Sequence, residues 1–241
     1  MRRDKTTSQT VSTVSPSGPP HVLFEDNHLL AIYKPAGWQT QPSDSPSPDA
    51  MTWSKAYLKE KYAKPGNVFL GLVHRLDRPV SGVLLFARTS KGASRLSEEF
   101  RSRRVEKIYR AWVEGKVAPG RRHIEGYLTP KAEPKVEVYE EPGTNRLRAE
   151  MSMELVEQLP DRALVEIALG TGRKHQIRAL LAHLGNPILG DLLYGREGSD
   201  RPASIALMAH RLVFAHPTQG TRVQVVVEGR EWMDQWRRFP L

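Results

Sequence analysis

An α+β fold is what this sequence predicts, on three observations. Short runs with strand character outnumber helical patterns, they do not alternate regularly with helices, and two of them are joined as a hairpin. A doubly wound sheet would need the regular alternation that is missing.

Residues 1–20 are a polar Ser/Thr/Pro stretch ending in Gly18-Pro19-Pro20, too poor in apolar groups to pack. A disordered tail is expected there, followed by one domain over residues 21–241. Strand-like runs begin at His21–Phe24 and Leu29–Lys34, and Pro35-Ala36-Gly37 breaks the second. Asp49 is placed to cap a helix whose Trp53, Ala56 and Tyr57 share a face. Two apolar runs, Phe69–Val73 and Val83–Ala87, flank a polar turn from His74 to Gly82.

A helix capped at Ser90 follows, with Ala93, Leu96 and Phe100 on one side and Arg95, Arg101, Arg103 and Arg104 on the other. Ile108–Val113 reads as a strand. From Ala149 to Leu155, Met151, Met153 and Leu155 alternate with Glu150, Ser152 and Glu154; Pro160-Asp161-Arg162 turns this run into Ala163–Leu169. A helix is expected from about residue 174, with Ile177, Leu180, Leu181 and Leu184 on one face, ended by Gly185 and Pro187. Strands near Arg211–Phe214 and Arg222–Val227 lead to a last helix carrying Trp232, Trp236 and Phe239.

The chain has 241 residues, no Cys and a formal net charge of +9. Without cysteine there are no disulfides, no thiolate catalysis and no cysteine-based zinc site. The positive excess favours a polyanionic partner, through phosphate contacts that release counterions. No apolar run reaches the length of a membrane span, and the basic start lacks the apolar segment of a secretion signal. A soluble cytoplasmic protein that does not engage the membrane is expected.

Two blocks carry candidate chemistry. His74-Arg75-Leu76-Asp77-Arg78-Pro79-Val80-Ser81-Gly82 places one carboxylate among cations, which keep it ionised as a nucleophile or general base requires. Thr171-Gly172-Arg173-Lys174-His175-Gln176-Ile177-Arg178 runs from a turn into a helix. Arg178 could meet a carboxylate of another element in a two-pronged salt bridge. Cations at a helix N-terminus oppose its dipole, so Arg173 and Lys174 there suggest phosphate binding. His175 and His183, about 12 Å apart along a helix, make no zinc pair. His210 and His216 flank a strand and read as structural, and neither a Gly-rich phosphate loop nor a serine nucleophile elbow is present.

Taken together, four sets of residues resemble the RluA-type RNA pseudouridine synthases. They are His74–Gly82; Lys107-Ile108-Tyr109 with Gly115; Thr171–Arg178 with Pro187–Asp191 and Tyr194-Gly195; and Ala209–Leu212 with Phe214, His216 and Pro217. The opening Glu25–Leu30 and Lys34–Gly37 also look like that family's first strand and turn.

The resemblance implies a single catalytic domain with a bent, mainly antiparallel mixed sheet and a central cleft, without the S4-type RNA-binding domain of many relatives. It implies that Asp77 is the catalytic carboxylate, that Arg178 is paired with it, and that Tyr109 stacks beneath the target base. Arg75 would fill the gap left by a flipped uridine, and Ile177 would line the pocket. His74, Arg173, His175 and Gln176 complete the expected substrate-binding set. The implied reaction isomerises uridine to pseudouridine in ribosomal or transfer RNA, with no cofactor and no metal, by a monomeric enzyme. Trp38-Gln39-Thr40-Gln41 and Arg211 depart from the family pattern, which bears on target identity.

Overall fold

The computed structural model describes residues 6–11, 18–130, 134–195 and 204–239. In chain order the elements are β1 (Thr6–Val11), β2 (His21–Glu25), β3 (Leu29–Lys34), α1 (Ala50–Lys61), β4 (Gly71–Leu72), β5 (Ser81–Ala87), α2 (Ser90–Arg101) and β6 (Glu106–Glu114). They continue as β7 (Arg121–Leu128), β8 (Val138–Tyr139), β9 (Leu147–Gln158), β10 (Arg162–Leu169), α3 (Gln176–His183), β11 (Leu207–Ala215), β12 (Arg222–Val227) and α4 (Arg230–Arg237). Strands outnumber helices among the described residues; β1 pairs in parallel with β12, while β2–β3, β3–β5, β4–β5, β6–β10, β9–β10, β7–β9, β7–β8 and β11–β12 are antiparallel, so the expected α+β class with mainly antiparallel, mixed pairing is what the chain forms.

The chain divides into two compact units, residues 1–106 with 209–233 and residues 107–208 with 234–241. In the first, the strand order is β2-β3-β5-β11-β12-β1, with β4 added to one end of β5. Every residue of β3 and of β5 is buried, as uninterrupted apolar runs predict for strands covered on both faces. Asp49 caps α1 as expected, accepting from Thr52 N at 2.8 Å. The cap of α2 is Thr89 rather than Ser90: its extended backbone (φ −136°) lets its hydroxyl accept from Gly92 N at 3.1 Å, while Ser90 already lies in the first turn.

Two expectations for this unit are corrected. Only Gly71 and Leu72 of the Phe69–Val73 run pair with β5, and Phe69 is 51 % exposed. Thr6–Val11, inside the expected disordered tail, pairs in parallel with β12 from Thr6 opposite Arg222 to Val11 opposite Val227. Edge pairing draws on main-chain groups, so a Thr-rich segment without an apolar face can still add a strand. The rest of that expectation, residues 1–5 and 12–17, lies outside the described residues. His210 and His216 are structural as expected: His210 Nδ1 bonds Val227 O at 2.5 Å, and His216 Nε2 meets Asp26 Oδ2 at 2.7 Å.

The second unit has the order β6-β10-β9-β7-β8, antiparallel throughout. The expected hairpin is β9–β10, closed by Leu159 N donating to Arg162 O at 2.8 Å. An irregularity at Leu164/Val165 shifts its register, and such a bulge bends the strand that carries it. Gly126 on β7 admits α3 at close range, since a Cβ there would lie 2.9 Å from Leu180 Cδ2. Gly185, at φ +80°, ends α3 as expected, with Asn186 N reaching back to Leu181 O at 3.0 Å. Among the described residues no helix is long and apolar enough to cross a membrane.

Candidate active site

In the first unit Asp77 sits half-buried on the turn between β4 and β5, and both of its neighbours are tied down. Leu76 exchanges two bonds with the Thr40 hydroxyl, which donates to Leu76 O at 2.8 Å and accepts from Leu76 N at 3.1 Å. Arg78 O accepts from Gly37 N at 2.8 Å and from Lys34 Nζ at 3.3 Å. Val80 N closes the turn onto Asp77 O at 3.1 Å. The loop that follows the Pro-Ala-Gly turn thus sets where the carboxylate points.

Lys34 was only a strand end in the sequence, and it is fully buried. Its ammonium also donates to Pro35 O at 3.0 Å and Trp38 O at 2.7 Å. Burial pushes its pKa down to about 7, and the charge of Asp77 opposes that shift. A lysine closing an otherwise apolar, fully buried strand was the available signal. Arg75 is exposed. His74 works as a strut: its Nε2 accepts from Leu85 N at 2.9 Å, and its ring stacks on Phe100 with centroids 4.9 Å apart. That bond makes Nε2 an acceptor, and through it His74 supports the Asp77 turn.

In the second unit Tyr109 lies half-buried on β6 opposite Ile167 of β10. Helix α3 starts at Gln176, after Arg173 and Lys174, and His175 precedes it in the left-handed region (φ 54°) without a side-chain cap bond. Ile177 is buried beside Gln176 and Arg178. Gln176 is 3 % exposed, and its amide is spent on the turn. Its Oε1 accepts from Thr171 Oγ1 at 2.7 Å and Arg173 N at 3.0 Å, and its Nε2 donates to Glu150 O at 2.9 Å. A group committed in this way shapes the Thr171–Arg173 turn. Arg173 Nε donates to Arg148 O at 3.2 Å, from an exposed side chain.

Arg178 makes a two-pronged salt bridge whose partner is Asp191, an acid to which the sequence gave no role. Nε donates to Asp191 Oδ2 at 2.7 Å and Nη2 to Asp191 Oδ1 at 2.8 Å, with both side chains buried. The Tyr194 ring lies 5.1 Å from the guanidinium, and its hydroxyl bonds His175 Nδ1 at 3.0 Å and accepts from Val136 N at 2.8 Å.

The arginine face of α2 is partly occupied. Arg95 donates to Pro217 O, Arg101 pairs with Glu98 at 2.7 Å and Arg104 with Glu99 at 2.7 Å. His123, Glu125 and Glu150 form the one cluster with metal-ligand spacing among the described residues. Arg148 holds both carboxylates, Glu125 at 2.8 Å and Glu150 at 3.1 Å, which makes the group an ion-pair network.

The model of the family described as RNA pseudouridylate synthase matches residues 28–183, more than half of the chain and inclusive of Asp77, Tyr109 and Arg178. The ribosomal large subunit pseudouridine synthase D of Xylella fastidiosa is 34 % identical over 223 residues, 86 % of this chain and 65 % of that protein. The dual-specificity RNA pseudouridine synthase RluA of Haemophilus influenzae is 30 % identical over 207 residues, 83 % of this chain and 88 % of that one. The solved structure of human RNA pseudouridylate synthase domain containing 4 superposes with a TM-score of 0.74 at 22 % identity, over 90 % of this chain and 92 % of that chain, a likeness of fold. The chain belongs to the RNA pseudouridine synthase family, of RluA type, a family of isomerases acting on RNA.

Proposed function

We propose that this chain isomerises uridine to pseudouridine in a structured RNA, ribosomal or transfer, with Asp77 as the catalytic carboxylate. The observation that carries the proposal is the Asp77 turn: a half-buried carboxylate between two anchored neighbours, inside the matched family region. Residues 21–241 act as one catalytic domain, in the cytoplasm and as a monomer.

The reaction breaks the bond from ribose C1′ to base N1, turns the base, and joins C1′ to C5, whose hydrogen leaves as a proton while N1 takes one up. A stacked uridine is out of reach, so it must be flipped. Tyr109 offers the surface on which the flipped base rests, and Arg75, exposed before Asp77, takes the place the base has left. Asp77 acts as nucleophile toward C1′ or C6, or as base at C2′, and Arg178 orients it. Ile177, Arg173, His175, His74 and Gln176 complete the pocket and its phosphate contacts, and His74 and Gln176 also hold the two loops in shape.

RNA labelled with tritium at uridine C5 tests the reaction. Release of tritium to water by the wild-type protein is expected. A folded protein that binds RNA and releases none from ribosomal and transfer RNA is a binding protein, and the reading fails.

A further inference from the structure

Gly190-Asp191 and Tyr194-Gly195 belong to the resemblance, yet the reaction as written gives them no task. The structure places them around Arg178. Asp191 is fully buried and takes two parallel bonds from the guanidinium, at 2.7 and 2.8 Å. It is itself held by its own turn: Oδ1 also accepts from Leu193 N at 3.0 Å and Tyr194 N at 3.2 Å, and its carbonyl accepts from Gly195 N at 2.7 Å. Gly190 makes the turn possible, at φ +78° and with no room for a Cβ, which would lie 2.9 Å from Trp236 Cη2. With Nε and Nη2 committed to a fixed carboxylate, the guanidinium can neither swing nor rotate, and its remaining donors keep one direction. The Tyr194 ring, clamped through its hydroxyl to Val136 N and His175 Nδ1, packs beside it.

Stability alone is a weak reason for this arrangement. A buried ion pair gains little over a well-packed apolar pair, because both charges give up water. Holding one donor group in one place is what it does better. We propose that Asp191 is a positioning residue for catalysis, acting through Arg178: it fixes the guanidinium that orients the catalytic carboxylate. This rests on the reading that Arg178 is the partner of Asp77.

A double-mutant cycle on kcat, measured by tritium release at saturating RNA, tests it. Asp191→Asn keeps the shape and removes the charge; kcat is expected to fall about a hundredfold, the scale of a misplaced catalytic group, with KM little changed. Asp191→Glu, which keeps the charge and both oxygens, should recover part of the loss. In an Arg178→Lys background, whose point charge cannot make the two-pronged bond, Asp191→Asn should add little further loss. Rates are taken per folded molecule, from the cooperative unfolding amplitude; if Asp191→Asn does not fold, Asp191→Glu is run through the same cycle. Impaired Arg178→Lys with an unaffected Asp191 variant overturns the inference alone, as do losses that simply add. Wild-type kcat in Arg178→Lys overturns the reading of Arg178 as well.

Discussion

Replacing Lys34 by Met reads the electrostatics of the Asp77 turn through stability. Lys34 is fully buried, and its pKa is pushed from 10.5 down to about 7 by that burial, against the pull of Asp77. Below about pH 7 the folded and unfolded chains both carry the proton, and the whole cost of burying it stands. As pH rises from there toward 10.5, the folded chain sheds the proton first. The unfolded chain then binds more protons, so stability climbs with pH across this window. At about 1.36 kcal/mol per proton per pH unit, the climb amounts to about 2 kcal/mol between about pH 7 and about pH 9. For a chain of this size that is about 4–8 °C in Tm.

The assay is urea unfolding of wild type and Lys34→Met at several pH values in that range. Other groups titrate alike in both proteins, so the difference between the two curves isolates Lys34. Absolute stability is not the readout, because Met also leaves the Pro35, Trp38 and Arg78 carbonyls without their donor. Wild-type stability should rise relative to the variant across the window. Parallel curves would refute the reasoning, since Lys34 would then carry the same proton in both states.

Further outcomes follow from the same geometry. Asp77→Asn should leave RNA affinity and the unfolding transition near wild type while tritium release disappears; substantial residual release in a folded variant removes Asp77 from catalysis. Gly82→Ala should destabilise by about 3 kcal/mol or more in urea unfolding, as strain and overpacking combine. Gly82 sits at φ +117°, and a Cβ would lie 2.6 Å from Ala209 N and against Ala209 O, both backbone. Wild-type stability in that variant would mean β5 and β11 yield easily. Replacing Arg103 and Arg104 by Ala should weaken RNA binding and flatten the log affinity against log salt plot by about one unit, with kcat at saturation little changed. An unchanged slope would assign these arginines to ion pairs such as that of Arg104 with Glu99.

Much of the fold was legible because it rests on local patterns. β3 and β5 announced themselves as unbroken apolar runs, the β9–β10 hairpin as an alternation around Pro160-Asp161, and the ends of α1 and α3 as Asp49 and Gly185. These depend on periods, caps and backbone conformations that a short window contains. The polar tail was misread over Thr6–Val11 because an edge strand needs a main-chain partner, and β12 lies more than two hundred residues away in sequence.

For the site, sequence alone determined the family and the residue types: a carboxylate at Asp77, an aromatic ring at Tyr109, a guanidinium at Arg178. Tertiary structure decided what each is attached to. Sequence offered Arg178 a two-pronged bond, and the resemblance offered Asp77 as its partner; the turn at Gly190 delivers a further acid, Asp191, to which neither had given a role. Sequence placed His74 and Gln176 in the site; the fold adds that Leu85 N bonds His74 Nε2 and that Thr171, Arg173 and Glu150 bond the Gln176 amide. Lys34 gained its role from three carbonyls, one of them forty-four residues distant, and from complete burial. The physical reason is common to all of these. Which donors a side chain can bring is written in its chemistry, but which acceptors surround it, and how far water is excluded, are properties of the packed chain.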